Sequence, residues 1–240
     1  MNRNHLKIIA CVSMLIDHMG ILMFPEYQIF RYIGRLAFPI FAFFIGEGCR
    51  YTKNRKKYFL SVFILGVICQ AVYIVDALIE TGNLGFLSNA WYFNILLTFS
   101  VSIPLCYLLL ELKSAENKKK YAVYLSAYIA VIALGAALFT YFRTVGGSFT
   151  LDYGVFGIIL PASTLIFDSK KAKLAAFFGV LAAFCLFYMN TMPFVWFSLI
   201  SVLLLLCYNE KSGSKRFKYG FYIFYPAHLA FLYLIAMIFF

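Results

Sequence analysis

Charge is scarce in this chain, and negative charge is scarcest. Of 240 residues only 13% are charged, with ten Asp or Glu against 21 Lys or Arg. A soluble domain carries roughly 25% charged residues and roughly 45–50% apolar ones; here 63% are hydrophobic and the mean hydropathy is +0.85. That balance excludes a water-soluble globular fold and points to an integral membrane protein. The apolar runs lack the ten-residue alternation of a barrel, so helices must satisfy the backbone in lipid. Long polar stretches are missing too, the longest running only about eight to ten residues, too short for an extramembrane domain to fold alone. The expectation is one transmembrane domain over residues 1–240. There is no convincing internal repeat of the kind many transporters show.

Six cysteines are present (Cys11, Cys49, Cys69, Cys106, Cys185, Cys207), but no CxxC pair. They fall in or at the ends of apolar segments and read as small buried hydrophobes; no disulfide and no bound metal is expected. The net charge of +11 is scattered in short clusters between apolar runs. Such clusters mark cytoplasmic loops beside anionic lipid, and no nucleic-acid partner is expected. The start, MNRNHLKIIACVSML, shares a basic end and an apolar stretch with cleaved signals. Asp17 and His18 fall where the apolar core of a signal should continue, and no small-x-small cleavage site follows. The segment is expected to be retained.

Hydrophobicity places about nine helical spans, near 6–24, 30–49, 58–77, 91–110, 121–142, 153–167, 172–189, 193–208 and 219–239. The sixth is short, and the short loop after it suggests a tight helical hairpin. Alternating sides puts RYTKNRKK, KSAENKKK, DSKKAK and NEKSGSKRFK on the side of the N-terminus. With Arg3 and Lys7, these hold 18 of the 21 Lys and Arg residues, leaving Arg31, Arg35 and Arg143 on the other side. The positive-inside rule therefore predicts a cytoplasmic N-terminus, and an odd number of spans an extracytoplasmic C-terminus.

Ionisable groups inside such spans are costly and become functional candidates. MLIDHMGILMF carries Asp17 beside His18. Lys7 lies eleven residues before His18, three turns with about 20° left over, so both share a face about 16 Å apart along the axis. Asp17 projects about 100° away. In the second span, RYIGRLAFPIFAFFIGEG, Arg31 and Arg35 share a face four residues apart. Arg35 should lie at the depth of Asp17 and His18, and Glu47 at the depth of Lys7. Pro39 should kink that helix. One reading is purely structural: Asp17 pairs with Arg35 and Glu47 with Lys7, locking two helices together. It leaves His18 without a role. His228, in FYIFYPAHLAF of the last span, falls near the midplane, where a histidine also serves well bonded to a helix carbonyl. Asn94 and Thr98 share a face of the fourth span. Asp152 and Tyr153 open the sixth, where an aspartate is equally suited to be a helix cap. Gly154 and Gly157 allow close helix approach.

LKIIACVSMLIDHMG, RYIGRLAFPIFAFFIGEG, NILLTF, DYGVFG and KYGFYIFYPAHL, in that order over most of the chain, resemble the TraX family, whose namesake is the pilin acetylase of conjugative plasmids. That family is similar to the wider superfamily of transmembrane acyltransferases. The resemblance implies an acyl-CoA donor, expected to be acetyl-CoA, entering from the cytoplasm, and a membrane-embedded histidine at the reacting centre. The wider group often has an arginine where Lys7 stands, eleven positions before the first-span histidine; the charge is kept and the bidentate geometry lost.

The function expected is thus acyl transfer to an amine or hydroxyl acceptor: a glycan, an amine or a polypeptide N-terminus. His18, Asp17 and His228 form the catalytic set, His18 as general base or transient acyl carrier and Asp17 as its orienter. Lys7, Arg35, Asn94 and Tyr225 are expected at the acyl-CoA, and Arg31, Glu47, Asp152 and Tyr153 at the acceptor. Membrane lipid is the constant partner, and an oligomer is compatible with the sequence. The alternative is a proton- or ion-coupled transporter using Asp17, His18, Arg35 and His228 as a relay.

Overall fold

Asparagines start several helices. The Asn2 side chain accepts from His5 N at 3.0 Å, Asn54 from Lys57 N at 2.8 Å and Asn117 from Lys120 N at 2.9 Å, each meeting an amide that the first turn leaves unpaired. Asn94 does the same twice, for Leu96 N at 3.0 Å and Leu97 N at 3.4 Å. From these starts run α1 (Arg3–Leu22), α4 (Arg55–Thr81), α6 (Lys118–Thr144) and α5 (Ile95–Lys113). The others are α2 (Ile29–Gly34), α3 (Ala37–Tyr51), α7 (Gly154–Ser163), α8 (Lys170–Tyr188), α9 (Ile200–Leu206) and α10 (Phe217–Phe239), with a 3-10 turn over Pro193–Leu199 before α9. The computed structural model of the chain describes residues 1–81, 92–144, 150–211, 213 and 217–239. Apart from a two-residue parallel ladder, β1 (Tyr92–Phe93) on β2 (Thr150–Leu151), regular structure among them is helical, as expected of an all-α membrane protein.

Among the described residues, seven segments are long and apolar enough to cross a bilayer, Ile29–Tyr51 counting as one. The sixth and eighth expected spans appear as shorter apolar helices, Gly154–Ser163 and Pro193–Leu206. Residue 91, where the fourth span was expected to begin, lies outside the described residues, and α5 starts at Ile95.

The second expected span is two helices, not one kinked helix. The proline ring at position 39 would meet the carbonyl of Arg35 in a continuous helix. The chain instead breaks at Arg35 and Leu36 and restarts at Ala37, so Pro39 falls in the first turn of α3, where its missing N–H costs little.

The chain groups into two compact units, residues 1–41 with 178–240, and residues 42–177. In the first, α1 packs on α2 and on α10. The Ser13 hydroxyl donates to the Ile33 carbonyl at 2.5 Å, tying α1 to α2. In the second, α5 is central, packed by α4, α6 and α7. Phe99, Ile103, Leu105 and Cys106 of α5 and Ile158 and Leu160 of α7 are buried. The Ser102 hydroxyl donates to the Ile158 carbonyl at 2.6 Å. Gly157 is a packing glycine: a Cβ there would lie 2.7 Å from Thr98 Cγ2 and 2.9 Å from the Asp152 carbonyl. All six cysteines are unpaired, and only Cys207 is exposed.

Candidate functional site

Consecutive residues on a helix point about 100° apart, so Asp17 and His18 face different neighbours. Asp17 faces α2 and the turn after it. Both its oxygens accept from Arg35 Nη2 at 2.8 Å, and Arg31 Nη1 lies 3.0 Å from Oδ1. Arg35 Nε also donates to the Arg31 carbonyl at 3.3 Å. The Phe194 ring lies 5.5 Å from the Arg31 guanidinium and 5.3 Å from that of Arg35, close enough for cation–π attraction. The Asp17–Arg35 pair expected from depth is therefore present, with Arg31 as a second cation. Arg35 is buried, and Arg31 is the more open of the two.

His18 faces α10. His228 Nε2 lies 3.0 Å from His18 Nδ1, and His228 Nδ1 lies 2.9 Å from the Phe224 carbonyl, one turn earlier on its own helix. The Phe224 ring stacks on His228 at 4.9 Å, and Tyr225 meets it edge-on at 5.5 Å. His228 is buried at 5% exposure and His18 is half-buried. The bond expected between Asp17 and the His18 imidazole is replaced: Asp17 is held by the arginines, and His18 Nδ1 is met by His228. Lys7 shares the α10-facing side of α1, its Nζ 5.3 Å from the centroid of Phe221, two turns before His228.

The remaining candidates lie in the second unit. Glu47 takes Lys173 Nζ at 2.7 Å in place of the expected Lys7, and both side chains are buried. Lys173 was missed as a loop lysine. The signal was its register: Lys173, Leu174, Phe177 and Leu181 form one buried stripe of α8, unlike Lys170 and Lys171. Asn94, expected at the acyl-CoA, is saturated. Its Oδ1 caps α5, and its Nδ2 donates to the Gly66 carbonyl at 2.9 Å and to Gln70 Oε1 at 3.0 Å. An amide makes four such bonds, so none is left for a ligand. Gln70, unremarked in the sequence, binds this corner further, donating to the Tyr92 carbonyl at 3.0 Å.

Asp152 is not a side-chain cap of α7. Its Oδ1 accepts from the Tyr92 hydroxyl at 2.5 Å, and its carbonyl from Thr98 Oγ1 at 3.1 Å. The cap position belongs to Tyr153, in the left-handed region at φ 60°, a strained backbone for a non-glycine residue. At the other end of α7, Arg50 Nη1 at 2.6 Å and Lys113 Nζ at 3.1 Å hold Asp168, which lowers its carboxyl below the usual range.

These elements define a class: a multi-pass helical membrane protein with histidines, arginines and an aspartate grouped within its apolar helices. The chain belongs to the TraX family, whose model, described as TraX protein, matches residues 2–236. It is 28% identical over 252 residues to the Probable fimbrial assembly protein FimC, serogroup H1, of Dichelobacter nodosus, a match covering 95% of this chain and 92% of that protein. A shorter match, 43% identical over 65 residues, is to Uncharacterized protein RP591 of Rickettsia prowazekii (strain Madrid E), covering 27% of this chain and 24% of that one. No solved structure matches.

Proposed function

We propose that this protein is a membrane-embedded acyltransferase that moves an acetyl group from acetyl-CoA to an amine or hydroxyl, with His18 as general base. The observation that carries the reading is the His18 ring, met by His228 of α10 and next in sequence to Asp17, which holds Arg31 and Arg35. The attacking group loses its proton to the imidazole. In this reading the Arg31 and Arg35 guanidiniums stabilise the oxyanion that forms on the thioester carbonyl oxygen. In the same reading Lys7, three turns before His18 toward the N-terminus, meets the phosphates of coenzyme A. The roughly 16 Å between them along the helix is comparable to the pantetheine arm.

Family membership supports the chemistry, since the family's namesake acetylates pilin. The name of the fimbrial assembly relative supports an acceptor of the same kind, a pilin-like polypeptide bearing a free amine. In this reading the N-terminus is cytoplasmic, so the donor arrives from the side on which coenzyme A is found.

The test uses purified protein in lipid nanodiscs with radiolabelled acetyl-CoA and an acceptor peptide. The wild type should release coenzyme A and label the peptide, and His18→Ala should lower turnover about 10²–10⁴-fold, the range of a lost general base. A wild type that neither binds nor consumes acetyl-CoA overturns the reading, as does His18→Ala with unchanged turnover.

A further inference from the structure

We infer that His18 and His228 act as one proton-holding pair, in which His228 is a positioning residue that fixes the tautomer of His18 and stores the proton His18 takes up. The inference rests on the acyltransferase reading for its chemistry, and on geometry alone for the state of the two rings.

A carbonyl oxygen only accepts hydrogen bonds, so the ring nitrogen that meets it carries a proton. The Phe224 carbonyl, 2.9 Å from His228 Nδ1, therefore fixes a proton on that nitrogen. In the neutral ring the lone pair then sits on Nε2. That lone pair faces His18 Nδ1 at 3.0 Å, so His18 Nδ1 must be the donor. What remains is the Nε2 lone pair of His18. A helix carbonyl thus selects, through two imidazoles, which nitrogen of His18 is basic. His228 fills the orienting role that the sequence offered to Asp17, and it differs from a carboxylate by being able to accept a full proton while its Nδ1–H stays on Phe224.

The step balances as follows. The acceptor X–H attacks the thioester carbonyl, forming the X–C bond. His18 Nε2 takes the X–H proton while the Nδ1 proton of His18 passes to His228 Nε2. His18 is again neutral, now protonated on Nε2, and His228 is the imidazolium. When the tetrahedral carbon expels the thiolate, the C–S bond breaks and His18 Nε2–H protonates the sulfur. His228 returns its Nε2 proton to His18 Nδ1, and the pair is restored with acylated acceptor and free thiol as products.

The chain has three histidines, His5, His18 and His228, so the full-length protein labelled with 15N-histidine gives a short, assignable set of imidazole signals in lipid. The expected spectrum has His18 and His228 both protonated on Nδ1, the opposite of the tautomer free histidine favours in water, and an N–H···N coupling linking the two rings. That coupling disappears in His228→Gln. An absent coupling, or a neutral His18 protonated on Nε2, overturns the pair whether or not the protein turns over acetyl-CoA.

The kinetic arm uses His228→Gln. The glutamine oxygen can accept from His18 Nδ1–H and so preserve its orientation, but cannot take up the proton. Turnover should fall about 100-fold, at the low end for a lost proton-transfer partner, with KM for acetyl-CoA within about twofold. Full activity in His228→Gln overturns the proton-storing role. If the wild type shows the coupling but consumes no acetyl-CoA, the acyltransferase reading fails and the shared-proton geometry stands.

Discussion

Gly34 is required by Asp17. A Cβ at position 34 would fall on the Asp17 carboxylate itself, so the side chain that receives both arginines occupies the space a larger residue would need. Gly34→Ala has no flexible group to displace, because Asp17 is held by Arg35 and Arg31 together. Overpacking of this kind costs about 1–3 kcal/mol, and shifting the partly buried Asp17 carboxylate off its cations adds to it. Gly179 is a matched control, since a Cβ there meets nothing within 4 Å. Gly34→Ala should lower the unfolding temperature in detergent while Gly179→Ala leaves it level or raises it, and equal behaviour of the two would show that the Asp17 seat is not rigid. The sequence revealed the Asp17–Arg35 pair through shared depth. It did not reveal which of two adjacent polar residues turns toward which helix, because the 100° step between Asp17 and His18 has meaning only once α2 and α10 are in place.

At the scale of the element, the described helices were legible where hydrophobicity is continuous and obscure where a polar side chain replaces a backbone partner. Pro39 announced a disturbance, but the break at Arg35 and Leu36, three to four residues before it, follows from where the Arg35 carbonyl would have met the ring. Asn94 read as a polar face of a span, yet it is the residue that starts α5 and joins it to α4. Asn94→Ala removes the cap, about 1 kcal/mol. It also removes one hydrogen bond each to Gln70 Oε1, which keeps the Asn94 backbone N–H at 3.1 Å, and to the Gly66 carbonyl, about 0.5–1.5 kcal/mol per bond. The variant should unfold at a clearly lower temperature, and amide exchange should rise first in the opening turn of α5. Unchanged protection of Leu96 and Leu97 amides would mean the cap is replaceable. Lys173 was obscure for a related reason. A lysine in a basic cluster looks solvated until its register with Phe177 and Leu181 is noticed, and no pattern in α3 says that Glu47 waits for it.

For the whole molecule, the first unit carries its own argument about sidedness. Lys7 lies over Phe221 and His18 meets His228, so α1 and α10 run in the same direction. The start of α1 is also tied to the segment before α10: the Met1 amine donates to the Cys207 carbonyl at 2.6 Å and Arg3 N to the Lys211 carbonyl at 3.1 Å. Parallel first and last spans require an odd total, so the end of α10 is expected on the membrane face opposite the start of α1. The short helices α7 and Pro193–Leu206 must then both carry the chain across, or neither. At about 15 Å, α7 alone is well short of the roughly 30 Å hydrocarbon core. Charge favours both crossing, because otherwise Lys170, Lys171 and Lys173 would fall on the outer side. Reporter fusions decide it. A fluorescent protein inserted at residue 169 should fold in the cytoplasm, and alkaline phosphatase fused after Phe240 should be active outside the cell. A phosphatase active at 169 would place α7 as a helix that does not cross, and an inactive one after Phe240 would reverse the odd count.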